Sequence, residues 1–284
     1  MKCARFLLAV LLVSFLAVPA AQSPDDTKIW QEFVAWLNAQ PDVTQIGPDR
    51  YKAKLLADGL TPAQADERIA ALGRLTPQHR DEIGAIYFNK LYATPSQTRF
   101  TLQPNAFLVE MTKGLKPGAA LDAGIGQGRN AVYLAAQGWD VTGYDVAEDG
   151  LKIAEQNAVK AGTSIKTVKA RFEDFDYGTD RWDLIYFVYV DAPITDPAFI
   201  AKVSAGLKKG GVLLIDRPFH PIDKPEPGWP PPTEQDKVNA LPRAWSNLQL
   251  VRYDDTFGIA DWQQTREARE VKQLRLVKML ARKW

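Results

Sequence analysis

Leu121-Asp122-Ala123-Gly124-Ile125-Gly126-Gln127-Gly128 is the stretch that decides the reading of this chain. An apolar segment at residues 119–123 runs into it and a helical pattern at residues 129–137 runs out of it. The glycines therefore occupy a strand-to-helix turn, the place where a parallel sheet opens a crevice for ligands. Glycines there reach backbone conformations closed to other residues and let a ligand approach the main chain closely. The following helix points free N–H groups at the same space. Asp145 stands 21 positions after Gly124, just past a second apolar strand at residues 139–144. A carboxylate there can accept hydrogen bonds from both hydroxyls of a ribose.

The spacing separates two cofactor classes. Dinucleotide folds use G-x-G-x-x-G, with a pyrophosphate on the helix N-terminus. Here the glycines fall at 124, 126 and 128, and an acid, Asp122, lies two positions before the first. An acid is unhelpful beside a pyrophosphate and suits the ammonium of an amino-acid moiety. Asp145 is common to both classes; Asp122 and the glycine spacing discriminate.

Outward from this core, helices alternate with apolar strands from residue 103 onward, the sign of a parallel sheet covered on both faces. Helices are expected at 105–113, 129–137, 151–161 and 197–208, with a short one at 233–241. Strands are expected at 119–123, 139–144, 164–170, 182–190, 212–216 and 248–255. Residues 182–190 are the most apolar and are assigned to the sheet centre. Residues 25–94 read as helical: Ile29, Trp30, Phe33, Val34 and Leu37 recur at helical spacing, Thr61-Pro62 opens one helix, and Thr76-Pro77 repeats that device. This N-terminal part is expected to be a helical cap packed on the main domain.

With Gly128-Arg129-Asn130-Ala131-Val132-Tyr133-Leu134-Ala135 and Gly138-Trp139-Asp140-Val141 added, the stretch resembles motif I and the following acidic motif of class I S-adenosylmethionine-dependent methyltransferases. It is similar to the subgroup related to tellurite-resistance methyltransferases, and the resemblance covers residues 104–211 well. It implies an α/β, Rossmann-like fold with a seven-stranded, mostly parallel sheet, helices on both faces and an antiparallel last strand. That favours strand over helix for residues 274–280. It implies S-adenosyl-L-methionine as cofactor, with Gly124 and Gly126 backing the methionine part, Asp122 assisting the amino group through water, and Asp145 holding the ribose. Ala123, Ile125, Gly128, Arg129, Asn130 and Val146 complete the set carried by these two loops. The family's acid after the third strand binds the adenine amino group, and here the sequence departs from the pattern, because Arg171 stands at that place. Glu173 and Asp174 follow it as substitutes, and Phe172 is positioned to lie against the adenine. The alternative is that Glu173, Asp174 and Asp176 form a solvated turn.

Methyl transfer from a sulfonium asks mainly for alignment and exclusion of water, with a base required where the acceptor must lose a proton. Candidates for the acceptor side are Asp191, after the fourth strand, and His220, after the fifth, whose pKa range suits base work. The Asn/Asp-Pro-Pro-aromatic motif of amino-group methyltransferases is absent from Tyr189-Val190-Asp191-Ala192-Pro193, which points away from nucleic-acid or protein amide acceptors and toward a small molecule. Trp229, in the proline-dense segment 218–232, is a candidate lid. Two readings stand beside the leading one: a nicotinamide-dependent oxidoreductase, disfavoured by the glycine spacing, and a non-catalytic S-adenosylmethionine-binding module.

Composition sets the outer bounds. The chain has 284 residues, 46% hydrophobic and 24% charged, with net charge +1, so no nucleic-acid partner is expected. Lys2 and Arg5, the apolar run at residues 6–18 interrupted by Ser14, and Val18-Pro19-Ala20-Ala21 have the pattern of a secretory signal peptide. The rival is a membrane anchor through residues 6–18, shorter than the roughly 20 residues of a spanning helix. The domain reading is a signal peptide at 1–21, a helical region at 22–97 and a methyltransferase domain at 98–284, exported to the periplasm or secreted. Cys3 is the one cysteine and there are two histidines, so no metal site is expected and a thiol-dependent arsenite methyltransferase is disfavoured.

Overall fold

A computed structural model describes residues 24–42, 46–94, 100–219, 236–261 and 273–284. The signal-peptide segment, His220 and Trp229 lie outside the described residues.

Strands β1 (Ala119–Ala123), β2 (Asp140–Asp145), β3 (Lys166–Lys169), β4 (Trp182–Val188), β5 (Leu207–Phe219), β6 (Gln249–Gly258) and β7 (Leu274–Arg282) form one sheet in the order β3-β2-β1-β4-β5-β7-β6. Pairing is parallel from β3 through β5, and β7 lies antiparallel between β5 and β6. The seven-stranded, mostly parallel sheet with an antiparallel last strand is thus present, and β4 is its central member. Strand order reverses between β1 and β4, which opens the crevice at their C-terminal ends. The buried runs of β1 and β4 are apolar on both faces because both faces are covered. One side packs on Phe107, Leu108, Ala131 and Leu134, the other on Phe175, Phe199, Val203 and Trp245. The first set comes from α5 (Ala106–Thr112) and α6 (Arg129–Ala136), which lie beside α7 (Glu148–Lys160). On the second side lie α8 (Pro197–Gly206) and α9 (Ala240–Ala244).

Ahead of the sheet, α1 (Pro24–Ala39), α2 (Pro48–Ala57), α3 (Pro62–Leu75) and α4 (Arg80–Ala93) bury their own cluster around Trp30, Tyr51, Leu55 and Leu72. Thr61 opens α3 as expected, its side chain and that of Gln64 capping each other's backbone N–H. Thr76-Pro77 does not repeat that device. Thr76 is already helical (φ −49°) and its hydroxyl bonds the Leu72 carbonyl, so the chain continues through a 3₁₀ turn at Thr76–His79 into α4. Two further expectations shift. Gly210 and Gly211 sit inside β5, because Leu207 already pairs with Trp182 before the register slips. A Cβ on Gly211 would stand 2.8 Å from the Trp182 carbonyl oxygen, which is why glycine is required at that kink. Of the short helix expected at 233–241, residues 233–235 lie outside the described residues, and the described helix α9 starts at Ala240. Among the described residues no helix is long and apolar enough to cross a membrane.

Asn105 ties the layers together. Its Oδ1 accepts from Leu108 N at 2.8 Å to cap α5, and its Nδ2 donates to Asp216 Oδ2 at 2.9 Å and Asp261 Oδ2 at 2.8 Å. Its own N–H donates to Asn130 Oδ1 at 2.8 Å. Asn105→Ala removes a cap and leaves the fully buried Asp216 carboxylate without its donor. It should destabilise the fold by about 3 kcal/mol, read as a lower midpoint in urea unfolding.

Candidate cofactor site

The glycine loop is bent back on the end of β2 by two main-chain bonds: Gly124 N and Ile125 N donate to the Tyr144 carbonyl at 2.9 and 3.0 Å. Gly124 (φ +76°) and Gly126 (φ +53°) both take left-handed conformations that disfavour a side chain. Space forbids one as well. A Cβ on Gly124 would stand 2.5 Å from Val190 Cγ1, and one on Gly126 would stand 2.7 Å from the Tyr92 hydroxyl. The loop is a bare main-chain cradle at the crevice.

Two acids border it. Asp145 is fixed by the loop itself: Gly126 N donates to its Oδ2 and Ala147 N to its Oδ1, each at 2.9 Å. A carboxylate oxygen accepts more than one hydrogen bond, so Asp145 keeps capacity for hydroxyl donors. Asp122 is 3% exposed, and its Oδ2 has no hydrogen-bond partner. Burial pushes its carboxyl up to about 7, an effect the Asp145 charge reinforces and Tyr186 and Arg129 oppose. Burial raises Asp145 too. A cradle a Cβ would fill, a buried carboxyl with one unpartnered oxygen and a second acid beside it fit a ligand with a cationic end and a ribose.

The remaining expected residues are distributed as follows. Ala123 is buried in β1 and Ile125 packs over Gly143, where a Cβ would meet Ile125 Cδ1 at 2.3 Å. Gly128 (φ +81°) caps α6. The Arg129 guanidinium donates to Asp261 Oδ1 at 3.1 Å and to the Gln103 carbonyl at 3.0 Å, and the Asn130 side chain is engaged by Asn105. Both therefore brace the loop through its neighbours. Phe172 lies over Gly124, 3.6 Å from a Cβ placed there. Val146 lines a cleft of about 900 Å³ together with Ala170, Arg171 and Phe175. Glu173 accepts from Arg80 Nη2 at 3.2 Å, with its other oxygen buried and unpartnered. Asp191 is 67% exposed and paired with Arg217 at 3.2 Å.

Three features escaped sequence reading. Tyr92, from the end of α4, is buried against Gly126 and Gly150, so the cap reaches the cradle itself. Asn89 accepts from Asp149 N at 3.1 Å, fastening α4 to the start of α7. Tyr189, just after β4, holds φ +57°, a strained conformation for an aromatic residue. Its hydroxyl sits among Asn105, Asp216 and Asp261, and burial pushes Asp216 up to about 6. Helical spacing carries no signal for such long-range contacts.

Comparison with known proteins matches this geometry to a family. A family model described as a methyltransferase domain matches residues 120–211, from β1 through the start of β5. Residues 120–211 carry a methyltransferase domain. The domain is similar to the probable S-adenosyl-L-methionine-dependent methyltransferase TehB of Haemophilus influenzae, at 25% identity over 69% of this chain and 66% of that protein. It is also similar to a ubiquinone biosynthesis O-methyltransferase of Idiomarina loihiensis, at 33% identity over 38% of this chain and 46% of that protein. The crystal structure of H. influenzae TehB superposes with a TM-score of 0.54 at 24% identity, covering 70% of this chain and 67% of that one. The chain thus spans at most 66% of the length of these curated relatives.

The raised acids of the methyltransferase domain carry a pH signature. Folding lifts Asp122 from the ordinary 3.8 to about 7. Its stabilising contribution is complete below about pH 4 and is lost as pH rises through 7. Asp122→Asn should therefore melt near the parent protein at pH 4 and above it at pH 8, where the raised carboxyl costs the parent about 4 kcal/mol. Thermal melts at the two pH values check this.

Proposed function

We propose that this chain transfers a methyl group from S-adenosyl-L-methionine to a small-molecule acceptor. The observation that carries the reading is the buried Asp122 carboxyl beneath the glycine cradle, whose Oδ2 has no hydrogen-bond partner, with Asp145 held beside it by Gly126 N–H. A pyrophosphate would be repelled by Asp122, whereas an α-ammonium, directly or through water, satisfies it. Asp145 receives the ribose hydroxyls. Gly124 and Gly126 let the methionine part lie on the main chain, and Ala123, Ile125, Gly128, Arg129 and Asn130 hold that main chain in shape. Val146 borders the adenine end, and Phe172 and Glu173 follow β3 beside it.

Bound there, S-adenosyl-L-methionine supplies an electrophilic sulfonium methyl, and the protein's task is orientation and exclusion of water. Tyr189 and Val190, at the end of β4, border the cradle where an acceptor would approach. A base matters where the acceptor carries a proton to lose. Asp191 is the described candidate, and His220 is the other. The names of the relatives support the donor; they do not choose among acceptors. The start of the sequence supports export through residues 1–21, with an anchor through residues 6–18 as the rival, and N-terminal sequencing of the protein from fractionated cells separates them.

Calorimetric titration with S-adenosyl-L-homocysteine, S-adenosyl-L-methionine and NAD tests the donor. The first two should bind in the micromolar range and NAD should not. Asp145→Ala should weaken S-adenosyl-L-homocysteine by about tenfold or more. NAD binding in place of the other two returns the oxidoreductase reading. Cofactor binding without methyl release across an acceptor panel leaves the non-catalytic module.

A further inference from the structure

The acid expected after the third strand is absent from its place, and a different acid, Asp81, lines the cleft there. Arg171 stands where the acid was expected, and its guanidinium is turned to Asp174, with Nε donating to Oδ2 at 2.6 Å and Nη2 to Oδ1 at 3.0 Å. Between β3 and β4 the chain makes turns without a helix. The exposed flank of β2 and β3 is faced instead by the start of α4. The two sides bound the cleft of about 900 Å³, a volume suited to a nucleoside. One wall carries Val146, the residue after the ribose acid, with Ala170 and Arg171. The other carries Asp81 and Ala85 of the cap.

We infer that Asp81 of the helical cap is the carboxylate that recognises the exocyclic amino group of the cofactor's adenine. The inference rests on the donor proposed above. Asp81 lies in the first turn of α4, and its side chain is 19% exposed. Its nearest cations, Arg171 Nη1 at 3.7 Å and Arg80 Nε at 3.9 Å, stay outside hydrogen-bond distance. Burial and the Glu173 charge raise its pKa against the pull of these two guanidiniums, and its oxygens keep lone pairs for an N–H donor. Glu173, the nearer acid in sequence, differs on two points: one oxygen already accepts from Arg80, and the residue is not part of the cleft wall. The same helix presses Tyr92 against Gly126 at its other end. One cap element therefore spans from the methionine cradle to the adenine cleft, and the cap becomes part of the cofactor site.

The test uses the full chain, with S-adenosyl-L-homocysteine and its analogue S-inosyl-L-homocysteine, in which a ring carbonyl replaces the amino group. The unaltered protein should prefer the adenosyl ligand by about tenfold or more, since a carboxylate accepts from an amine and repels a carbonyl. In Asp81→Ala that ratio should fall toward one while affinity for the inosyl ligand is kept, which also reports an intact fold. In Asp81→Asn, whose amide can donate to the carbonyl, preference should swing toward the inosyl ligand. An unchanged ratio in both variants, equal loss of both ligands, or loss of discrimination in Glu173→Gln alone overturns the inference and leaves the donor standing. Failure of the unaltered protein to bind either ligand overturns the donor assignment and this inference with it.

Discussion

Two hydrogen bonds to one carbonyl organise the functional end of this protein. Gly124 N and Ile125 N both reach Tyr144 O, so the chain leaving β1 is folded over the end of β2 before it enters α6. From that bend follow the bare glycine cradle, the approach of Gly126 N to Asp145 and the start of α6 beside the crevice. The bend is possible because strand order reverses next to β1, leaving room above the strand ends that no neighbouring connection fills.

The acids around that bend are held against their own preference. Asp122, Asp145 and Asp216 all lie at the carboxyl ends of strands, and burial raises each of them. An apolar residue at any of these places would pack at lower cost. Their cost falls on the fold; a ligand carrying matching donors would repay it. Tyr189 adds backbone strain at the same edge of the sheet. Strain and buried charge concentrated at one edge, with an ordinary apolar core elsewhere, is the distribution expected when function is laid over a stable scaffold.

The helical cap changes the meaning of that edge. Read as a sequence, residues 25–94 are a helical cap; the structure shows four helices there that bury a small cluster of their own. Yet Tyr92, Asn89, Arg80 and Asp81 all reach the main domain from α4. The missing helix between β3 and β4 leaves a flank open, and the cap occupies it.

The sequence by itself determined six of the strands, the glycine turn and the places of Asp122 and Asp145, while the last strand was assigned by the family resemblance. Apolar periodicity sets the strands, glycine spacing sets the turn, and both acids lie within a few bonds of those markers. One shifted feature was local in origin, since Thr76 turned its hydroxyl to its own helix, whereas Gly210-Gly211 became a kink inside β5 because Leu207 pairs with Trp182. Only the tertiary structure decided which side chains the loops would meet. Arg129 and Asn130, adjacent to the glycines, were drawn to Asp261 and Asn105, while Tyr92 and Asp81, far away in sequence, arrived at the cradle and the cleft. Local pattern encodes backbone conformation within a few residues. Contacts between segments depend on how whole elements pack, and no short spacing records that.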